Sequence, residues 1–166
     1  MEPTLDKPAN LFLTWPDFHD DCRQLAKHLL KQNDQSWRGI IAVARGGLIP
    51  AAILARELNI RLVDTLCVAS YDHQQQGEAK VLKGLTHDGD GYLVVDDLVD
   101  TGNTANIIRA TLPKARFVVV YAKPQGQALV DDAIRHVEQD TWIHFPWDLD
   151  NNGSYTPPLI EAQQRD

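Results

Sequence analysis

Two cysteines and a single methionine are all the sulfur in this chain of 166 residues. Cys22 falls in a stretch of helical spacing and Cys67 in an apolar one, so neither a disulfide framework nor a cysteine-held metal is expected, and both thiols suit a reducing compartment. Positive charge is also short: 16 Lys and Arg face 23 Asp and Glu, a formal net charge of −7. Such a balance opposes attraction to a phosphate backbone, and no nucleic-acid partner is expected. No apolar run approaches the ~20 residues of a membrane-spanning helix, and residues 1–10 lack a basic stretch followed by an apolar one. Neither insertion nor export is expected, and the chain reads as cytoplasmic. The 6 histidines are scattered without a pair at metal-ligand spacing, so no zinc is expected. A thiol nucleophile is not expected either, because both cysteines lie inside elements.

What is present suffices for one core. At 43% hydrophobic content the chain is expected to form a single domain over residues 1–166. Phe18, Cys22, Leu25 and Leu29 recur at helical spacing after Thr14, Trp15 and Pro16, predicting a first helix whose opening turn tolerates proline. Residues 39–44 (GIIAVA) form a short apolar run that predicts a strand buried on both faces. Arg45, Gly46 and Gly47 predict a turn, and Pro50 is expected to open a helix through Leu58. Further strands are predicted over 61–69, 91–95 and 116–122, with a helix over 103–112 between the last two. Alternating strand and helix implies right-handed crossovers and a parallel sheet covered by helices, an α/β fold. Two segments break the rhythm. Residues 71–84 are polar and glutamine-rich and predict a loop. Residues 124–166 mix aromatics, prolines and acids and predict a small irregular subdomain.

The most informative stretch is 93–104, LVVDDLVDTGNT. A buried strand is expected to end in two adjacent carboxylates, Asp96 and Asp97, followed by Leu98, Val99 and a third acid, Asp100. Thr101, Gly102, Asn103 and Thr104 then open a helix, offering hydroxyls and free N–H groups at the positive end of the helix dipole, which suits phosphate. In an open α/β sheet the ligand crevice lies beyond the carboxyl ends of the strands, where this run belongs. It lacks the spacing of a Walker A loop.

This stretch resembles the phosphoribosyl pyrophosphate signature of the type I phosphoribosyltransferases. The likeness extends from about Thr14 to Asp148 and, through the string DTWIHFPWD, is to the bacterial xanthine-guanine group. The resemblance implies a mainly parallel twisted sheet flanked by helices, with a base-recognition hood over roughly 124–166. It implies that Asp96 and Asp97 face the ribose hydroxyls and a magnesium ion, with Asp97 as the metal ligand, and that Asp100 to Thr104 hold the 5′-phosphate. Magnesium suits hard carboxylate oxygens and is usually completed by substrate oxygens and water. Arg45 and Gly46 become the pyrophosphate loop, joined by an expected cis peptide. Lys123 is implied to donate to the purine O6, which an amino group replaces in adenine; a lysine offers that group no acceptor. Trp142 is implied to stack on the base and the Ile143 carbonyl to meet its other edge. Asp100 is implied to be the general base. The family places an arginine where this chain has Gly77, so either Lys80 or Lys83 supplies that charge, Lys80 by preference, or the loop closes without a cationic contact and phosphoribosyl pyrophosphate binds less tightly.

The implied activity is purine salvage: guanine, xanthine and, less well, hypoxanthine react with phosphoribosyl pyrophosphate to give GMP, XMP or IMP. The family likeness further implies a homotetramer and peripheral association with the inner membrane, although no amphipathic or basic anchor is visible. The alternative is a regulatory homologue that keeps the pocket to sense nucleotides while binding nucleic acid; the net charge of −7 opposes it.

Overall fold

The computed structural model describes residues 9–32, 36–69 and 79–163. Its contacts group into two compact units, one of residues 1–20 with 140–166 and one of residues 21–139.

The larger unit is built on strands β2 (Gly39–Ala44), β3 (Val63–Ala69), β4 (Lys80–Lys83), β5 (Tyr92–Val99), β6 (Arg116–Ala122) and β7 (Asp132–His136), which follow β1 (Asn10–Phe12) of the smaller unit in the chain. They form one six-stranded sheet in the order β4-β3-β2-β5-β6-β7, parallel throughout except for β4. Helix α1 (Trp15–Lys31) begins in the smaller unit, α2 (Leu48–Glu57) joins β2 to β3, and α3 (Asn103–Thr111) joins β5 to β6. The expected α/β class is what forms.

Strand periodicity sorts the core. Ile41, Val43, Val94, Phe117 and Val119 pack in one buried cluster with Ala105, Ile108 and Leu112 of α3. Residues of the alternate parity, Ile40, Ala42, Leu93, Val95, Val118 and Val120, are buried as well, on the face that α2 contacts at β2 and β5. A sheet covered on both faces explains why these strands read as unbroken apolar runs.

Several boundaries differ from expectation. The third apolar strand does not end at the paired acids but continues to Val99. Its pairing with β2 stops at Ala42 and Val95, whereas β6 runs on beside it, matching Asp96 with Val119 and Val99 with Ala122. One neighbour is enough to keep the ladder going. Helix α2 starts at Leu48, two residues before Pro50, which occupies the first turn, where a missing N–H costs no bond. Lys80–Lys83, expected within a loop, is an antiparallel edge strand on β3. Asp132–His136 extends the sheet on β6. The polar β7 is held there by its first residue: the buried Asp132 carboxylate accepts from Arg116 Nε at 2.7 Å and lies 2.9 Å from His28 Nε2. A buried acid so paired is satisfied rather than stranded.

In the smaller unit β1 pairs in parallel with β8 (Trp142–His144), Leu11 opposite Ile143. Phe145 and Trp147 stack with ring centroids 4.7 Å apart, and Phe18 meets both edge-on. This aromatic cluster gives a short segment a core of its own. A last short helix, α4, spans Leu159–Ala162.

Candidate active site

Strand order fixes where a ligand belongs. From β2 the chain moves to β3 on one side, and from β5 it moves to β6 and β7 on the other, so the order reverses between β2 and β5. At such a reversal two loops leave adjacent carboxyl ends in opposite directions and open a crevice. The loop after β2 carries Arg45 and Gly46; the end of β5 carries Asp96 and Asp97, and Asp100 follows it directly. All five were singled out in the sequence.

The two loops approach closely. A Cβ built on Gly46 lies 2.6 Å from the Asp97 carboxylate, and one on Gly47 lies 2.3 Å from the Val95 carbonyl oxygen. Only glycine permits this contact, so the loops are fitted to each other before any ligand arrives. Arg45 is exposed beside them. The cis peptide of this turn is the Ala44–Arg45 bond, one residue earlier than the Arg45–Gly46 bond expected.

Asp96 is buried and Asp97 partly so. Burial, then the neighbouring Asp97 charge, pushes the Asp96 carboxyl well above the usual carboxylate range, since an enclosed anion beside another anion is doubly disfavoured. The Asp97 backbone N–H donates to Asp96 Oδ1 at 2.9 Å. Cations or sugar hydroxyls brought to this pair would relieve it.

Beyond Val99 the chain passes through Asp100 and the exposed Thr101 to Gly102, whose φ of 95° lies in the left-handed region. A side chain at Gly102 would also meet Leu129 at 2.7 Å. Helix α3 then starts at Asn103 with no side-chain cap and no acid in its first turn, leaving its N–H donors and positive dipole end for an anion. Residues 96–100, Gly102 and Thr104 line a cavity of about 220 Å³. That is smaller than the ~300–1,000 Å³ of a complete small-molecule site and suits one phosphate group of a larger ligand. A roomier cavity of about 610 Å³, lined in part by Trp37, Arg38, Arg61 and Arg116, opens at the amino ends of the strands. It is lined by none of the candidate site residues.

Lys123 leaves β6 buried, with its side chain 5% exposed and Nζ 3.1 Å from Asp100 Oδ2. Its backbone N–H donates to the Val99 carbonyl at 3.0 Å. Such enclosure sets it apart from an ordinary solvated lysine at a strand end. Gln139 was not singled out. Its Nε2 donates to Asp100 Oδ1 at 2.8 Å while its Oε1 accepts from the Gln125 N–H at 2.9 Å. Trp142 and Ile143 belong to the smaller unit, where Trp142 is 62% exposed and Ile143 is buried.

Gly77 lies outside the described residues. Lys83 is engaged by Asp64 Oδ1 at 2.5 Å and the Thr65 carbonyl at 2.7 Å, while Lys80 is exposed on β4. No group of three or more His, Cys, Asp or Glu side chains converges on a metal position among the described residues, and no described helix is long and apolar enough to cross a membrane. Burial pushes the Cys22 thiol up to about 12, which leaves it inert as a nucleophile at neutral pH.

The model of the phosphoribosyl transferase domain matches residues 9–152. The chain belongs to the phosphoribosyltransferase family. This phosphoribosyltransferase is 54% identical over 149 residues to the xanthine-guanine phosphoribosyltransferase of Chromohalobacter salexigens, covering 90% of this chain and 89% of that one. It is 50% identical over 154 residues to the enzyme of the same name from Desulfotalea psychrophila, covering 92% and 94%. Among solved structures, the purine phosphoribosyltransferase of Pyrococcus horikoshii superposes with a TM-score of 0.71 at 25% identity, covering 90% of this chain and 97% of that one. The xanthine-guanine-hypoxanthine enzyme of Helicobacter pylori shares the fold with a TM-score of 0.68 at 20% identity, covering 95% and 99%.

Proposed function

We propose that this phosphoribosyltransferase is a purine salvage enzyme that transfers the phosphoribosyl group to guanine or xanthine, and less well to hypoxanthine. The observation that carries this is the enclosed Lys123 at the carboxyl end of β6, bonded to Asp100 beside the phosphate cavity. An ammonium held there has further protons to donate and no lone pair to offer, which suits an O6 and rejects a 6-amino group. The names of relatives at 50–54% identity support the same substrate class.

In the proposed reaction the 5′-phosphate of phosphoribosyl pyrophosphate occupies the loop of Asp100, Thr101, Gly102, Asn103 and Thr104 at the start of α3. The ribose hydroxyls meet Asp96 and Asp97, and the pyrophosphate meets Arg45 and the backbone at Gly46. Asp97 would hold the magnesium ion: its carboxylate is a hard oxygen donor at the crevice, and a site completed by substrate oxygens does not need a cluster of protein ligands. Magnesium would neutralise charge on the departing pyrophosphate. By resemblance Trp142 stacks on the base, and its exposed indole supports this. Ile143, whose side chain is buried, is left with its backbone carbonyl for the base edge.

The N9–C1′ bond forms as the C1′–oxygen bond to pyrophosphate breaks, and the N7 proton passes to Asp100. Positioning and electrostatic stabilisation supply most of the acceleration. The family likeness further supports a cytoplasmic homotetramer, with peripheral association on the inner membrane. The test is to incubate the protein with phosphoribosyl pyrophosphate, magnesium and guanine. GMP and pyrophosphate should appear in equal amounts and vanish with chelator; no nucleotide product would refute the proposal.

A further inference from the structure

The Asp100 carboxylate is gripped on both oxygens before any substrate is present. Lys123 Nζ is 3.1 Å from Oδ2, and Gln139 Nε2 donates to Oδ1 at 2.8 Å. These donors reach Asp100 from different parts of the chain. Lys123 ends β6, whereas Gln139 lies beyond β7 and is itself fixed, its Oε1 accepting from the Gln125 N–H at 2.9 Å. The turn that carries Gln125 is tied to Lys123, whose carbonyl accepts from the Gly126 and Gln127 N–H groups at 3.1 and 3.0 Å. A single amide therefore joins the acid to the turn behind the lysine. With its carbonyl used on the turn, the amide can present only N–H to Asp100, so its orientation is not free to flip.

Asp100 needs such support. It sits in the connection between β5 and α3 rather than within either, and its side chain is 48% exposed. A carboxylate there would otherwise sample several rotamers, and a base that is 1 Å out of place loses much of its rate.

We propose that Gln139 is a positioning residue for the transfer reaction, holding the Asp100 carboxylate in the plane from which it takes the N7 proton. This rests on the assignment of Asp100 as base given above. Each carboxylate oxygen has two lone pairs, so one remains on Oδ1 for the substrate while Gln139 occupies the other.

The test is a double-mutant cycle on kcat, with Gln139→Leu and Asp100→Ala made singly and together in the full chain. In the wild-type background Gln139→Leu should lower kcat roughly tenfold, the usual loss for a hydrogen bond to a charged group, with KM for phosphoribosyl pyrophosphate little changed. In the Asp100→Ala background it should cost almost nothing further, because the group it orients is gone. Gln139→Glu serves as a second variant: it keeps the acceptor for Gln125, replaces the donor to Asp100 with a second carboxylate that repels it, and should be at least as slow as Gln139→Leu. An equal loss from Gln139→Leu in both backgrounds, or Gln139→Glu at the wild-type rate, would reduce Gln139 to a structural tie. Asp100→Ala at full rate would instead overturn the base assignment itself.

Discussion

Lys123 and Asp100 form an ion pair at 3.1 Å in which the lysine is almost wholly enclosed and the acid half exposed. The charge that needs its partner is the buried one, so the pair fixes the ammonium at the strand end while the carboxylate still faces the crevice. Lys123→Ala should lower kcat/KM for guanine, xanthine and hypoxanthine together. The expected loss is about 1.5–3 kcal/mol, the scale of a hydrogen bond to a charged group. Steady-state kinetics with the three bases checks this, and unchanged values for all three would remove Lys123 from the base site.

Asp100→Asn keeps the shape of the side chain and its acceptor for Gln139 but cannot take a proton. It should reduce kcat by about 10²-fold, the lower end for loss of a general base. Pre-steady-state and steady-state rates with guanine measure it, and KM for phosphoribosyl pyrophosphate should move little.

Asp96 gives a pH-dependent stability prediction. Its carboxyl is raised in the folded protein by burial and by Asp97. A group whose proton affinity is higher when folded helps the fold below its unfolded value and loses that contribution as pH rises toward the folded one. Asp96→Asn should therefore raise the Tm at neutral pH, by about 0.5–2 kcal/mol of stability, and give no gain well below pH ~4. Thermal melts in magnesium-free buffer across pH 3–8 test it. Activity should fall in the same variant, because the acid that strains the fold is the one assigned to the ribose.

Gly46 and Gly47 should respond differently to alanine. A methyl at Gly46 meets the movable end of Asp97 at 2.6 Å, whereas one at Gly47 meets the Val95 backbone oxygen at 2.3 Å. Gly46→Ala should leave the melting temperature nearly intact and raise KM for phosphoribosyl pyrophosphate about tenfold, because the displaced carboxylate is the proposed metal ligand. Gly47→Ala should cost on the order of 1–3 kcal/mol of stability, the range for a forced overlap in a packed region.

Lys80 and Lys83 can be separated by the ion pair that holds one of them. Lys83 is engaged by Asp64 and Thr65, so Lys80→Ala should raise KM for phosphoribosyl pyrophosphate about fivefold, on the scale of ~1 kcal/mol for an exposed charge contact. Lys83→Ala should leave it unchanged. Equal effects from both would point to general surface charge.

The parts legible in the sequence were those in which a local pattern and a physical need coincide. GIIAVA and the FVVVYA that follows Arg116 are apolar because both of their faces are covered, and the helix repeat of Phe18, Cys22, Leu25 and Leu29 matches residues that are all buried. Adjacent acids at a strand end and a glycine-containing loop opening a helix drew attention to the crevice for reasons of charge and backbone shape. The missed features depend on partners far along the chain. KVLK and DAIRH carry no strand signal of their own and are strands because β3 and β6 offer them an edge. The extension of β5 past Asp97 follows from the length of β6. Gln139 became informative only once folding set its amide 39 residues away against Asp100, a pairing that no spacing rule contains.

Base selectivity tests the central claim most directly. With magnesium and phosphoribosyl pyrophosphate in excess, kcat/KM should be measured by pyrophosphate release for guanine, xanthine, hypoxanthine, adenine and orotate. Guanine and xanthine should react efficiently and hypoxanthine more slowly. Adenine should be at least about 10²-fold poorer than guanine, since Lys123 cannot accept from its amino group. Adenine or orotate used as well as guanine would contradict assignment of this chain to 6-oxopurine transfer.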